Sequence, residues 1–132
     1  NQKVPFNKNN NASKALYQVG QELEKLLEKN LQLKEYLTHG GTFNYRVIAK
    51  TNRLSAHSYG IAIDLGVKKS RYWQWDENLL SPFQALDYPQ EIINVFKKYG
   101  FIWGGYWKHY DSMHFEYRPE YLLLKKNKKD IP

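Results

Sequence analysis

One helical repeat near the start of the chain dictates a second layer of structure. Leu16, Val19, Leu23, Leu26 and Leu27 recur at three- and four-residue steps, which places them on one face of a helix. Glu22, Glu24, Lys25, Glu28 and Lys29 cover the opposite face. A helix with a single apolar stripe has to bury that stripe against another layer. The rest of the chain offers mostly short segments for that layer. Residues 42–48 are aromatic and β-branched and predict a strand. Residues 59–65 hold Ile61, Ala62, Ile63 and Leu65 after a glycine turn, a short buried strand. Residues 101–107 and 113–117 predict two more. Pro89 suits the first turn of a second helix reaching about Tyr99, with Ile92, Ile93 and Phe96 inward and Gly100 as its stop. The expected fold class is therefore α+β: a small antiparallel sheet with flanking helices.

The remaining segments predict punctuation. Residues 1–11 read as an irregular lead-in, and Ser13 is the candidate N-cap of the first helix. Residues 31–37 either continue that helix or form a second short one, and Gly40-Gly41 stops it. Residues 68–87 are polar and aromatic without a period and read as a long loop. A short helix opens near Tyr121 before a basic tail over 125–132. The whole, 1–132, is expected to be one domain with no internal repeat.

Composition narrows the chemistry. The chain has no cysteine, so disulfides, thiolate nucleophiles and cysteine-type zinc sites are all excluded. Any metal site must use His and carboxylates. The net charge is +7 with a pI of about 9.5, which favours a polyanionic partner such as an anionic wall polymer. Much of the excess sits in Lys125, Lys126, Lys128 and Lys129, a solvated stretch, and a nucleic-acid partner is not expected. No run of 18 or more apolar residues exists to span a membrane. The first residue is Asn1 rather than Met, so the chain is expected to be processed or trimmed, with any signal peptide already removed. The expected location is the periplasm, or secreted at the cell wall.

Two segments concentrate groups that can do chemistry. In the first, Ser55-Ala56-His57-Ser58-Tyr59-Gly60-Ile61-Ala62-Ile63-Asp64, a His precedes a glycine turn and an Asp ends a buried strand. Asp64 shares a face with the small Ala62. A carboxylate beside Ile63 and Leu65 is costly to bury unless it is paired or bound to metal; the alternative is an Asp that caps the following loop. In the second segment, Asp111 and His114 stand three apart at the start of a strand. That offset lets one group hold a metal while the other reaches its water. A hydrolytic zinc site takes three protein ligands and keeps a fourth position open, where water has a pKa of roughly 7. Two His and one Asp meet that count.

Taken together, Ser55-x-His57-x-x-Gly60-x-Ala62-x-Asp64, Gly100-Phe101-x-Trp103-Gly104-Gly105-x-Trp107 and Asp111-x-x-His114-Phe115-Glu116 resemble the zinc D-Ala-D-Ala peptidase family. That family includes the VanX and VanY peptidases and the phage endolysins that cut L-alanyl-D-glutamate bonds. The resemblance runs from about Phe43 to Tyr117. It implies a hedgehog/D-Ala-D-Ala peptidase-like fold holding one Zn2+ through His57, Asp64 and His114. It implies that Asp111 is the general base. VanX and VanY carry Glu there, whereas the endolysin branch carries Asp, so the endolysin branch is the nearer likeness. The family also places an arginine by the substrate carbonyl. Arg46 is the best match, and Arg53 is the alternative.

Further roles follow from position. Glu116, two residues past His114, points to the same side of a strand and is placed to orient a ligand imidazole. Ser55 opens the first motif and is a second candidate support. Tyr59, Trp103 and Trp107 are the candidates for lining a substrate groove. The expected activity is zinc-dependent hydrolysis of peptidoglycan stem peptides by a monomer with a single peptidase domain, at a D-Ala-D-Ala terminus or an L-Ala-D-Glu or other internal bond. The competing class is a non-catalytic zinc-containing binding module of the hedgehog-like fold. Asp111 argues against it, since a binding module has no need of a carboxylate at that offset.

Overall fold

The computed structural model describes residues 6–41, 56–66 and 88–123. Helix α1 spans Ala12–Lys29 and buries Ala12, Ala15, Val19 and Leu23, while Leu16, Leu26 and Leu27 pack at the margin of the same core. Its cap differs from expectation. Asn11, in the left-handed region at φ 65°, precedes the helix, and the Ser13 backbone N–H donates instead to the Asn7 carbonyl at 2.9 Å. The helix ends at Asn30, whose side chain accepts from the Gln32 N–H at 3.1 Å and starts a separate 3-10 turn over Leu31–Tyr36.

Gly40-Gly41 does not end a helix. His39–Gly41 forms strand β1 at the edge of the sheet, a role that needs only backbone N–H and C=O groups. Strand β2 is Ala62–Leu65, shorter than the predicted 59–65, because Ala56–Tyr59 winds into a 3-10 turn and Gly60 reverses the chain at φ 66°. Helix α2, Gln90–Lys98, follows Pro89 and buries Ile92, Ile93 and Phe96. Gly100, at φ 93°, turns the chain into strand β3, Phe101–Trp103. The expected strand 101–107 stops there. Gly104–Tyr106 is a 3-10 turn, and a Cβ on Gly105 would stand 2.1 Å from the Trp103 ring. Strand β4 is His114–Tyr117, and a short helix α3, Glu120–Leu123, follows. The predicted strand 42–48, the loop 68–87 and the basic tail lie outside the described residues. Among the described residues no helix is long and apolar enough to cross a membrane.

The strands form one antiparallel sheet in the order β1-β2-β4-β3, beside helices, so the described architecture is α+β. Strand period and register divide the residues between two faces. Ile63 pairs with Phe115, Trp103 with Phe115 and Phe101 with Tyr117. This face meets the helices: Phe96 stacks on Phe115 with ring centroids 3.9 Å apart and meets Phe101 edge-on at 5.2 Å. The other face carries Ala62, Asp64, Ile102, His114 and Glu116, through the pairs Asp64–His114, Ala62–Glu116 and Ile102–Glu116. The two helices are also tied at the surface, where Lys98 Nζ reaches Glu22 Oε1 at 2.6 Å and the Tyr99 hydroxyl donates to the same oxygen.

Candidate functional site

The polar face of the sheet brings two of the expected ligands together. Asp64 and His114 are direct partners across β2 and β4, so their side chains leave the sheet side by side. His114 Nδ1 lies 3.2 Å from Asp64 Oδ1, and His114 Nε2 lies 2.8 Å from Glu116 Oε1. Glu116 shares the His114 face two residues on, as period two requires. Its other oxygen accepts from Arg118 Nε at 2.6 Å. The small Ala62 opposite Glu116 leaves room for this carboxylate. His114 and Glu116 are buried, and the Asp64 side chain is 17 % exposed.

This packing decides the chemistry of the imidazole. An ionised carboxylate only accepts, so Glu116 assigns the proton of the pair to Nε2. Nδ1 then faces a second acceptor, Asp64. Two acceptors in contact require something positive between them, either a proton or a metal ion. Burial disfavours the imidazolium. The hydrogen bonds to Asp64 and Glu116, with the field of Asp111, outweigh it and push the His114 pKa up to about 10. Burial likewise raises Glu116, but the His114 ring and the Arg118 guanidinium outweigh it and hold the carboxyl below its usual range.

The pair is hydrogen-bonded, and its spacing is also compatible with two ligands on one metal ion. Zinc bonds of roughly 2.0–2.1 Å in tetrahedral array set adjacent ligand atoms ~3.3 Å apart. The Nδ1 to Oδ1 separation of 3.2 Å fits that edge. Among the described residues no group of three His, Asp or Glu side chains gathers to hold a metal. The expected third ligand, His57, lies on the 3-10 turn Ala56–Tyr59, directly ahead of β2, and its side chain lies outside the described residues. Ser55, Arg46 and Arg53 lie outside them as well.

Asp111 stands on the loop into β4. Its backbone N–H donates to the Gly104 carbonyl at 2.9 Å, and its own carbonyl accepts from the His114 N–H at 3.2 Å. Gly104 makes this closeness possible. A Cβ there would meet the Asp111 carbonyl oxygen at 2.6 Å and the His114 Cβ at 3.3 Å. The Trp-Gly-Gly segment thus lets its backbone lie directly against the turn that carries Asp111 and His114.

The three aromatic candidates part company. Trp107 is beside the pair, its ring centroid 5.4 Å from that of His114; its indole N–H is buried without an acceptor among the described residues. Tyr59 is exposed at the end of the turn that carries His57. Trp103 is not brought to the pair. It is 2 % exposed on the core face, and its indole N–H donates to the Ser112 carbonyl at 2.8 Å, supporting the Asp111 loop from below.

Two contributors are not apparent from sequence patterns. Asn7, in the lead-in, donates from its backbone to the Gly60 carbonyl at 2.8 Å and from its side chain to the Tyr59 carbonyl at 3.0 Å. It clamps the turn between His57 and Asp64 from across the fold, and only tertiary structure reveals this. Arg118 had a local signal, since it continues the alternation of His114 and Glu116 by two residues.

No curated protein matches the chain. The family model described as D-alanyl-D-alanine carboxypeptidase, of the M15 peptidases, matches residues 49–117. The match includes His57, Asp64, Asp111 and His114 and takes in more than half of the 132 residues. The chain therefore belongs to the M15 peptidase family of D-alanyl-D-alanine carboxypeptidases.

Proposed function

We propose that this peptidase is a zinc enzyme acting on peptidoglycan stem peptides outside the cytoplasmic membrane, with His57, Asp64 and His114 as ligands and Asp111 as general base. The reading is carried by the Asp64–His114 pair, an imidazole nitrogen and a carboxylate oxygen held 3.2 Å apart with Glu116 behind the ring. Zinc, when bound, supplies the Lewis acid that makes water nucleophilic near neutral pH. Asp64 and His114 would hold the cation together with His57, and Glu116 keeps the ring turned with Nδ1 toward Asp64. Asp111, fixed by Gly104, takes a proton from the attacking water and returns it to the departing amine. A guanidinium, Arg46 in preference to Arg53, stabilises the oxyanion of the tetrahedral species. Trp107 and Tyr59 flank the site and contact the stem peptide. Trp103 acts indirectly, through the loop it supports.

The aspartate at position 111 and the Trp-Gly-Gly-x-Trp stretch favour the endolysin-type branch, and with it an internal L-Ala-D-Glu bond over a terminal D-Ala-D-Ala bond. The test is digestion of purified muropeptides with mass-spectrometric mapping of products. Release of L-alanyl fragments from the stem supports the endopeptidase reading, and loss of one terminal alanine supports the carboxypeptidase. No cleavage of any stem peptide by the zinc-loaded protein overturns the proposed substrate class.

A further inference from the structure

The polar face holds a chain of contacts longer than the reaction requires. From Asp64 it runs through His114 and Glu116 to Arg118, with separations of 3.2, 2.8 and 2.6 Å. The last link is the shortest, and it joins a 38 %-exposed guanidinium to a carboxylate side chain that is 9 % exposed. The cost of burying Glu116 offsets much of the attraction, so the pair adds little net stability, although loss of Arg118 would leave a buried carboxylate short of one partner. Its geometric consequence is larger. Glu116 has two oxygens: one accepts from the His114 ring, the other from Arg118. Without the second bond, a buried carboxylate keeps a single anchor and is free to turn about its terminal torsion, which is broad and weakly restrained. The imidazole that depends on it then loses its fixed plane.

The backbone delivers Arg118 to this task. Its N–H donates to the Gly100 carbonyl at 2.8 Å, which pins the end of β4 beside the start of β3. The side chain then falls on the His114–Glu116 face. Its other acidic neighbour, Glu120, is 4.0 Å away, so the close bond is the one to Glu116.

We propose that Arg118 is a positioning residue for the metal site: by holding Glu116, it fixes the His114 ring with Nδ1 toward Asp64 and so raises the affinity of the site for zinc. This rests on the zinc reading of the site. Arg118 touches neither metal nor substrate and acts only through Glu116. Its side chain is separable from its structural role, because the bond to Gly100 is made by backbone and survives substitution.

The experiment is a double-mutant cycle on zinc affinity, read by competition with a chromophoric chelator. The proteins are the wild type, Arg118→Met, Glu116→Gln and the double variant. Cobalt(II) absorption spectra of each give a second readout of ligand geometry. Loss of an outer hydrogen-bond partner typically weakens metal binding by about 10–100-fold, so Arg118→Met is expected to weaken zinc by about tenfold and to alter the cobalt bands. Because Arg118 acts through Glu116, the double variant should bind no more weakly than Glu116→Gln alone. Arg118→Lys, which returns one donor, should recover part of the affinity and serves as the folded control. Unchanged zinc affinity in Arg118→Met, or a double variant whose loss is the product of the two singles, overturns the inference while leaving the zinc site intact. A wild type that binds no zinc overturns the zinc reading itself, and this inference with it.

Discussion

The two faces of the sheet are built from alternate residues of the same strands, and they serve opposite ends. On one, Ile63, Phe101, Trp103 and Phe115 meet Phe96 and the helices; on the other, Asp64, His114 and Glu116 meet one another. Both are largely buried. Burial of the aromatic face is favourable by the transfer of apolar surface from water. Burial of the polar face is unfavourable by the same physics, and ion pairs of this kind are weak sources of stability. Folding accounts for the apolar face; the polar face carries the groups proposed for the site.

Substitutions can break this division from either side. The largest effect is expected for Asp111→Asn, which keeps the loop shape and removes the proton acceptor. General-base catalysis contributes ~10²–10⁴-fold, so kcat should fall by about that factor with little change in KM and with zinc retained. Steady-state kinetics beside metal analysis checks this, and near-normal kcat would remove Asp111 from its role. On the opposite face, Phe115→Ala should cost about 3–5 kcal/mol of stability, as for other fully buried aromatics, measured by denaturant unfolding. The folded fraction should still bind zinc. If Phe115→Ala folds as stably as the wild type, the core assignment is wrong.

Gly104 packs against the turn that carries Asp111 and His114. Gly104→Ala puts a Cβ 2.6 Å from the Asp111 carbonyl oxygen and must push the loop away. The expected loss is about 1–3 kcal/mol of stability, with a fall in kcat that Phe115→Ala does not share per folded molecule. The smallest effect is expected at Asn7. Asn7→Ala removes the side-chain bond to the Tyr59 carbonyl and the one accepted from the Asn9 N–H, both exposed, and should cost about 0.5–1.5 kcal/mol in thermal unfolding. A loss well above that range would mean that the lead-in has a larger part in the fold than these two side-chain bonds.

Segments with a strong period were legible in the sequence. Helix α2 follows from Ile92, Ile93, Phe96 and Gly100, and the face shared by His114 and Glu116 follows from strand alternation. Elements that depend on backbone pairing alone were not. His39–Gly41 has glycines where a strand usually shows β-branched residues, and its strand character comes only from its partner β2. Strand β3 gives way at Gly104 to a 3-10 turn in which Gly105 lies against the Trp103 ring, a contact no local pattern encodes. Trp103, expected in a groove, lies in the core because its register opposite Phe115 turns it to the helix face. At the candidate site the residue types were readable from motif spacing. The pairing of Asp64 with His114 needed the register of β2 against β4.

Asp64 and His114 meet across the sheet, and both should be required for the chain to hold zinc. Zinc content per chain, measured by plasma mass spectrometry, tests it in the wild type, Asp64→Asn, His114→Ala and the core-face control Ile63→Val. One zinc per chain is expected in the wild type and in Ile63→Val, and essentially none in the two site-face variants, each still folded by circular dichroism. Full zinc occupancy in Asp64→Asn or His114→Ala, or none in the wild type, would contradict it.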